Sequence, residues 1–299
     1  MAYSPTHTPE ALRALLSGAV DYAGLFPPAS LSLPETLARY GTYAEGPEAW
    51  ALGRLVLPAS RLADLPPSLA PARRWDVSIL IGNDIEGDLR QARALAEGRP
   101  GFRVASLEGA ASGREALPGF AARVGRAAAD LQAVAYVELP LTADLGPALD
   151  AVRDHGLRAK ARTGGIAAAA IPEPRLVLAF LRAAFDRELP FKLTAGLHHA
   201  VRGPRALTYE PHAATATMHG FLNVLMAAAL LAARTPAAGV EAALHEGDGR
   251  AFRFEDGTVT WGEHRAGLGD IRRARERLVS FGSCSFEEPV QELKALGLA

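Results

Sequence analysis

The sequence predicts an α/β protein, a (β/α)8 TIM-type barrel. Short β-like runs alternate with helix-length segments through most of the chain. Its 299 residues suit one barrel of ~250 residues with additions. The turn G-x-G-x-x-G, which opens a dinucleotide-binding open sheet, follows none of the predicted strands. Strict alternation implies parallel strands joined by right-handed crossovers.

The predicted strands are Ala19 to Ala23, Arg54 to Pro58, Asp76 to Gly82, Phe102 to Glu108, Val134 to Leu139, Leu157 to Thr163 and Pro190 to Gly196. Helices are expected at Asp88 to Glu97, Gly113 to Leu131, Asp144 to His155 and Glu173 to Glu188, where apolar residues such as Leu176, Phe180 and Phe185 recur at helical spacing. The C-terminal third is irregular and hides the eighth strand. A polar stretch to His212 precedes an apolar helix from about Thr215 to Arg234, which either fills a groove beside the barrel or forms a contact in a homo-oligomer. Two short strands meet at Asp256-Gly257, a hairpin signal. Asp270 is placed to cap a helix running to about Phe281 and Gly282 to end it, while Ser285 and Glu288 read as a capping box for a terminal helix. The whole of 1–299 reads as one barrel domain, with about 200–265 an insertion carrying the apolar helix and the hairpin.

Composition narrows the function. Apolar residues make up 49% and charged residues 22%, enough for a real core. Thirty-two basic against thirty-three acidic side chains leave a net charge of −1, with no basic block suited to nucleic acid or an anionic membrane. The single cysteine excludes an internal disulfide and a cysteine-based structural zinc site. The start lacks the charged and apolar regions of a signal peptide, and the run from Phe221 to Ala233 is too short to span a bilayer. The expectation is a cytoplasmic protein acting on a small molecule.

Only three of the basic residues are lysines: Lys160, Lys192 and Lys294. Arginine fills nearly every other cationic position, so a retained lysine is a candidate for work that a guanidinium cannot do, above all nucleophilic attack as a free amine. Lys294 lies in a terminal amphipathic stretch and reads as a solvated side chain.

Barrel chemistry gathers at the C-terminal ends of the strands, where alternate residues face inward. Ser106 and Glu108 share a face on the fourth strand, Tyr136 and Glu138 on the fifth, Lys160 and Arg162 on the sixth, and Lys192 and Thr194 on the seventh. This pattern predicts a polar mouth; the alternative is buried ion pairs facing the helix layer. A Schiff-base lysine needs its pKa lowered from ~10.4, and a second cation nearby can do this. Lys160 and Lys192 on neighbouring strands ~4.8 Å apart are placed for it, unless Glu108 and Glu138 simply neutralise them.

Ala159 to Gly165, A-K-A-R-T-G-G, resembles the sixth-strand motif of deoxyribose-phosphate aldolases, roughly K-T-S-T-G-F. Phe191 to Leu197, F-K-L-T-A-G-L, is similar to their seventh strand, roughly V-K-A-S-G-G. The resemblance is confined to these two segments. It implies a metal-free (β/α)8 enzyme in which Lys160 forms the Schiff base and Lys192 tunes it. Arg162 stands where that family has a small hydroxyl residue, and Ala195-Gly196 replaces a double glycine that helps hold phosphate. These departures weaken the case for a phosphorylated sugar and leave imine chemistry on a carbonyl compound standing.

Around the lysines, Thr163, Gly164 and Gly165 form a loop whose amides could cradle an anion, with Arg162 and Arg202 as its charged partners. His199 is the preferred acid/base histidine and His198 the next choice. His219 and Asn223, four apart on the expected apolar helix, could reach a ligand together. Asp21 near the end of the first strand is a further mouth candidate. Cys284, just before a helix start, reads as either a stabilised thiolate or a small buried residue.

The expected function is therefore a Schiff-base lyase or aldolase acting on a small carbonyl compound with an anionic group, using no cofactor. Lys160, Lys192, Glu138, Glu108 and His199 are its catalytic set. One alternative is a divalent-metal-dependent isomerase, epimerase or hydrolase, with Glu108, Glu138 and a histidine as ligands and Lys160 as proton donor or carbamylated ligand. Another is a non-catalytic binding barrel.

Overall fold

The computed structural model describes residues 8–69, 71–111, 117–142 and 144–298. Eight parallel strands close into a barrel. Seven of them lie where the sequence places them: β1 (Val20–Tyr22), β2 (Leu52–Pro58), β3 (Trp75–Leu80), β4 (Phe102–Ala110), β5 (Val134–Leu139), β6 (Arg158–Arg162) and β7 (Phe191–Thr194). Helices between them form the outer layer. These are α1 (Glu10–Leu16) before β1, α2 (Leu33–Glu45), α3 (Ile85–Gly98), α4 (Leu117–Phe120) continued by a wide turn into α5 (Arg126–Asp130), α6 (Gly146–Asp154) and α7 (Pro174–Asp186). The first residues of the expected helix at Gly113 lie outside the described residues.

After β7 comes a two-stranded hairpin, β8 (Gly203–Ala206) with β9 (Thr215–Met218), then α8 (Phe221–Ala232) and α9 (Ala237–His245). The apolar helix is thus shorter than the expected Thr215 to Arg234, beginning at Phe221 with its apolar run. T-A-T-M alternates as a strand and pairs with β8, so His219 precedes the helix instead of sharing a face with Asn223. Every residue from Phe221 to Leu230 is buried, enclosed by α7, α9 and α10 (Leu268–Arg277) of the same chain. The covering of this helix from Phe221 to Leu230 is therefore internal. The expected hairpin at Asp256-Gly257 is present as β10 (Phe252–Phe254) and β11 (Thr258–Trp261), and it gains a third strand, β12 (His264–Gly267).

The eighth barrel strand is β13 (Leu278–Ser283), paired with β7 on one side and β1 on the other. The expected helix through Phe281 stops at Arg277 instead. Ile271, Ala274, Leu278 and Phe281 keep a helical three-four-three spacing across the junction, so periodicity alone carries the helix into the strand. Arg275 ends it by donating to the Leu278 carbonyl at 2.8 Å. Asp270 acts from inside the first turn, accepting from the Gly267 amide at 2.9 Å. Along β13 the side chains alternate as a strand requires: Ser280 bonds to Asp21 in the lumen, while Phe281 stacks on Phe221 at 5.4 Å between centroids. The terminal helix α11 (Glu287–Ala295) follows, with the Glu288 amide donating to Ser285 Oγ at 3.1 Å. No helix among the described residues is long and apolar enough to cross a membrane.

Phe281 joins the last strand to the apolar helix. Replacing it with alanine is expected to destabilise the protein by ~3–5 kcal/mol, read as a lower urea midpoint. An unchanged midpoint would mean that this strand–helix contact contributes little.

Candidate active site

Barrel interiors are usually layers of branched apolar side chains. Here the middle of the lumen is charged. Strand pairing aligns Glu138, Lys160, Lys192 and Ser280 across β5, β6, β7 and β13, and Glu108 is in register with Tyr136 on β5. The resulting contacts form a chain of alternating charge. Lys192 Nζ donates to Asp21 Oδ2 at 2.5 Å and to Glu108 Oε1 at 2.6 Å. Lys160 Nζ lies 2.9 Å from Glu108 Oε2 and 3.2 Å from Glu138 Oε2. Ser78 donates to Glu108. Asp21 Oδ2 also accepts from Ser280 Oγ at 2.7 Å, and its Oδ1 from the Arg54 amide at 2.8 Å. These residues face the lumen, not the helix layer.

The electrostatics follow from the geometry. Burial alone would lower the Lys192 pKa, but Asp21 and Glu108 overcome it and raise this ammonium above the ordinary lysine range. Burial alone would raise that of Glu108, but Lys160 and Lys192 outweigh it and hold this carboxyl well below its usual range. The expectation that Lys192 would face Lys160 as a bare second cation is corrected here. Glu108 stands between the two nitrogens with one oxygen on each, so Lys192 acts on Lys160 by fixing Glu108.

Above this chain a cavity of ≈340 Å³ opens at the C-terminal ends of the strands. Glu108, Glu138, Lys160, Lys192, Arg162, Gly165, His198 and His199 line it, as expected. Arg162 is exposed at the rim, and its guanidinium has no hydrogen bond or ion pair among the described residues. His199 Nδ1 lies 2.6 Å from Glu292 Oε1, and Glu292 Oε2 accepts from the Ala200 amide at 2.6 Å. The terminal helix thus pins the segment after β7.

Other expected site residues lie elsewhere. Asp21 is under the floor, in the charge chain. Thr163 and Gly164 are committed to joining β6 to β7: Thr163 Oγ1 donates to the Ala195 carbonyl at 2.7 Å, and a Cβ on Gly164 would sit 2.8 Å from the Gly196 Cα. Gly196 itself has φ +78°, a conformation that favours glycine. The anion cradle expected over this loop is therefore reduced to Gly165 and Arg162. Arg202, His219 and Asn223 do not line the cavity. Asn223 accepts from the Arg202 amide and donates to the Ala243 and Glu246 carbonyls, each at 2.8 Å. His219 Nε2 donates to the Pro172 carbonyl at 2.8 Å. They hold the β8–β9 hairpin and α9 in place.

Sequence reasoning missed the apolar wall. Phe26, Val56, Leu80, Ile81, Leu207 and Met218 line the cavity, and the exposed side chains of Ile166 and Tyr209 line it as well. It also set Cys284 aside, although this thiol touches both the cavity and His198. Burial pushes the Cys284 pKa up to about 11, which removes the stabilised-thiolate reading. Among the described residues no group of three or more His, Cys, Asp and Glu side chains is placed to hold a metal ion.

Fold and site together define a (β/α)8 barrel with a charged lumen under a largely apolar mouth. Compared with known proteins, the chain matches no family model and no curated sequence.

Glu108 is the link whose loss strands both lysines. Glu108→Gln is expected to destabilise the protein by ~3–5 kcal/mol at pH 7, measured by chemical denaturation. A carboxylate whose pKa is depressed on folding contributes stability above its unfolded value of about 4.5 and loses it as the pH falls towards the folded value. The gap between wild type and variant should therefore narrow on acidification below pH 4.5, and a constant gap would contradict this account.

Proposed function

We propose that this protein forms a Schiff base between Lys160 and a small aldehyde or ketone bearing an anionic group, and makes or breaks the adjacent C–C bond. The observation that carries this reading is the unequal placement of the two lysines. Lys192 is clamped by two carboxylates within 2.6 Å and held in its charged form. Lys160 sits on the cavity floor beside Glu138, whose side chain is 25% exposed and borders the cavity.

In this mechanism Lys160 first gives a proton to Glu138, 3.2 Å away, since only the free amine attacks a carbonyl. The nitrogen lone pair then bonds to the carbonyl carbon. Glu138 returns the proton to the resulting hydroxyl, and water leaves to give an iminium. Its positive charge replaces that of the ammonium beside Glu108, so the charge chain beneath keeps its balance. The iminium accepts the electron pair of the breaking C–C bond as an enamine. As the bond breaks, the hydroxyl on the departing carbon becomes a carbonyl and yields its proton to Glu138, directly or through water. Protonation of the enamine carbon and hydrolysis of the regenerated iminium then free Lys160. Arg162, without a partner among the described residues, is placed to pair with a carboxylate at the far end of the substrate. His199, on the cavity wall, is the further acid/base candidate of this reading.

The test is borohydride reduction in the presence of small aldehydes, ketones and 2-oxo acids, read by intact mass and peptide mapping. A stable adduct on Lys160 is expected, lost in Lys160→Met. Absence of an adduct with every compound, or an adduct that persists in Lys160→Met, would sink the reading.

A further inference from the structure

A second polar group lines the same cavity and has no part in the imine step. His198, four residues beyond the end of β7, is 6% exposed, and its Nδ1 lies 3.1 Å from Ser283 Oγ. That hydroxyl donates its own proton to the Ser285 carbonyl at 2.6 Å. Toward the ring it can therefore only accept, and Nδ1 carries the imidazole hydrogen. Glu288 Oε2 is 3.6 Å from Nδ1, too far for a hydrogen bond to compete.

Burial, reinforced by His199, lowers the His198 pKa to about 4, so the ring is neutral at neutral pH. A neutral ring protonated at Nδ1 presents a bare lone pair at Nε2. The Cys284 sulfur does not satisfy it. It lies 3.9 Å from Nε2 and 3.5 Å from Nδ1, nearly equidistant from the two, and so cannot lie on the lone-pair axis of Nε2. Buried acceptors are normally paired, and this one belongs to a ring on the wall of a ligand-sized cavity.

We infer that His198 Nε2 accepts a hydrogen bond from a hydroxyl group of the substrate, which makes the substrate a hydroxy-aldehyde or hydroxy-ketone. This inference rests on the imine reading above. A C–C bond made by adding an enamine to a carbonyl leaves a hydroxyl two carbons from the imine carbon, so the chemistry at Lys160 produces the group that His198 reads while the adduct is intact; on cleavage its proton leaves that bond and passes to Glu138 through water. The apolar wall of the same cavity, Leu207 and Met218 among it, suits carbon better than an ammonium donor. A site built to bond a hydroxyl rejects the analogue that lacks it, because the buried acceptor is then left unpaired. His198 is thus a specificity-determining residue.

The experiment compares borohydride trapping of 3-hydroxybutanal and butanal, which share a carbon skeleton, on wild type, His198→Phe and His198→Gln. Total modification of Lys160 is followed against aldehyde concentration. Wild type should reach half-modification with the hydroxy compound at about tenfold lower concentration. His198→Phe should bring the two concentrations together, while His198→Gln, whose amide oxygen can accept, should keep part of the difference. If His198→Phe does not fold, the wild-type and His198→Gln results still decide. Trapping on Lys160 with equal response to both aldehydes, or a preference unchanged in His198→Phe, would overturn this inference and leave the imine reading standing. No Lys160 adduct with either aldehyde or with the wider panel would remove both.

Discussion

Glu108 holds two lysines at once, and the inside of the barrel is arranged around that contact. β4, which carries Glu108, and β7, which carries Lys192, are separated by β5 and β6 in the closed sheet. The 2.6 Å bridge between them therefore crosses the lumen instead of running along it. Asp21 from β1 completes the Lys192 shell, and Ser280 from the intervening β13 fixes Asp21. Three carboxylates face two lysines, an imbalance of one negative charge. Arg54 reduces it: its buried guanidinium interacts electrostatically with Asp21 and Glu108 and lies 6.0 Å from the centre of the Tyr136 ring. Such a network is weak evidence for stability, because well-packed apolar residues often hold a core at least as well. Its presence in a lumen that branched side chains could fill supports the proposed chemistry.

The same chain grades its members by access to solvent. Side-chain exposure rises from 1% at Lys192 and Glu108 to 6% at Lys160 and 25% at Glu138. The deep end is sealed from solvent, and the shallow end borders the cavity. One network therefore holds Lys192 in its charged form and sets Lys160 beside the cavity. Two free ammonium groups facing each other would produce a reactive amine by repulsion alone. In the proposed mechanism a carboxylate wedged between them instead holds the geometry constant while Lys160 forms the iminium.

Seven strands and the inward parity of Glu108, Glu138, Lys160 and Lys192 were legible because a period of two is a local property, readable one strand at a time. The scarcity of lysine pointed at Lys160 and Lys192 before any contact was known. The eighth strand was not legible, since Leu278 and Phe281 extend the helical spacing of Ile271 and Ala274 without a break. What turns the chain there is pairing with β1 and β7, more than 80 residues away in each case. Arg202, His219 and Asn223 misled for a related reason. Polar residues near a strand end mark either a ligand or a loop that needs its backbone satisfied, and only the fold shows which carbonyls were waiting for Asn223 and His219. The bridging role of Glu108 was invisible too, because it is a distance across the lumen and not along a strand.

Cys284 and His198 show how a neutral cluster can do what a charged one would not. Had the cavity placed a thiolate beside an imidazolium, the wall would carry its own nucleophile in competition with Lys160 for the same carbonyl. Burial prevents this from both sides, raising the thiol to about 11 and lowering the imidazole to about 4. On the proposed reading the cavity then offers Lys160 to a carbonyl, one exposed cation at Arg162, and one uncharged acceptor at His198. A carbonyl, an anionic end and a hydroxyl are the three groups these can tell apart, and the carbon between them faces the apolar wall. The division of labour depends on the lumen absorbing every other charge, which is what the chain from Asp21 to Glu138 does.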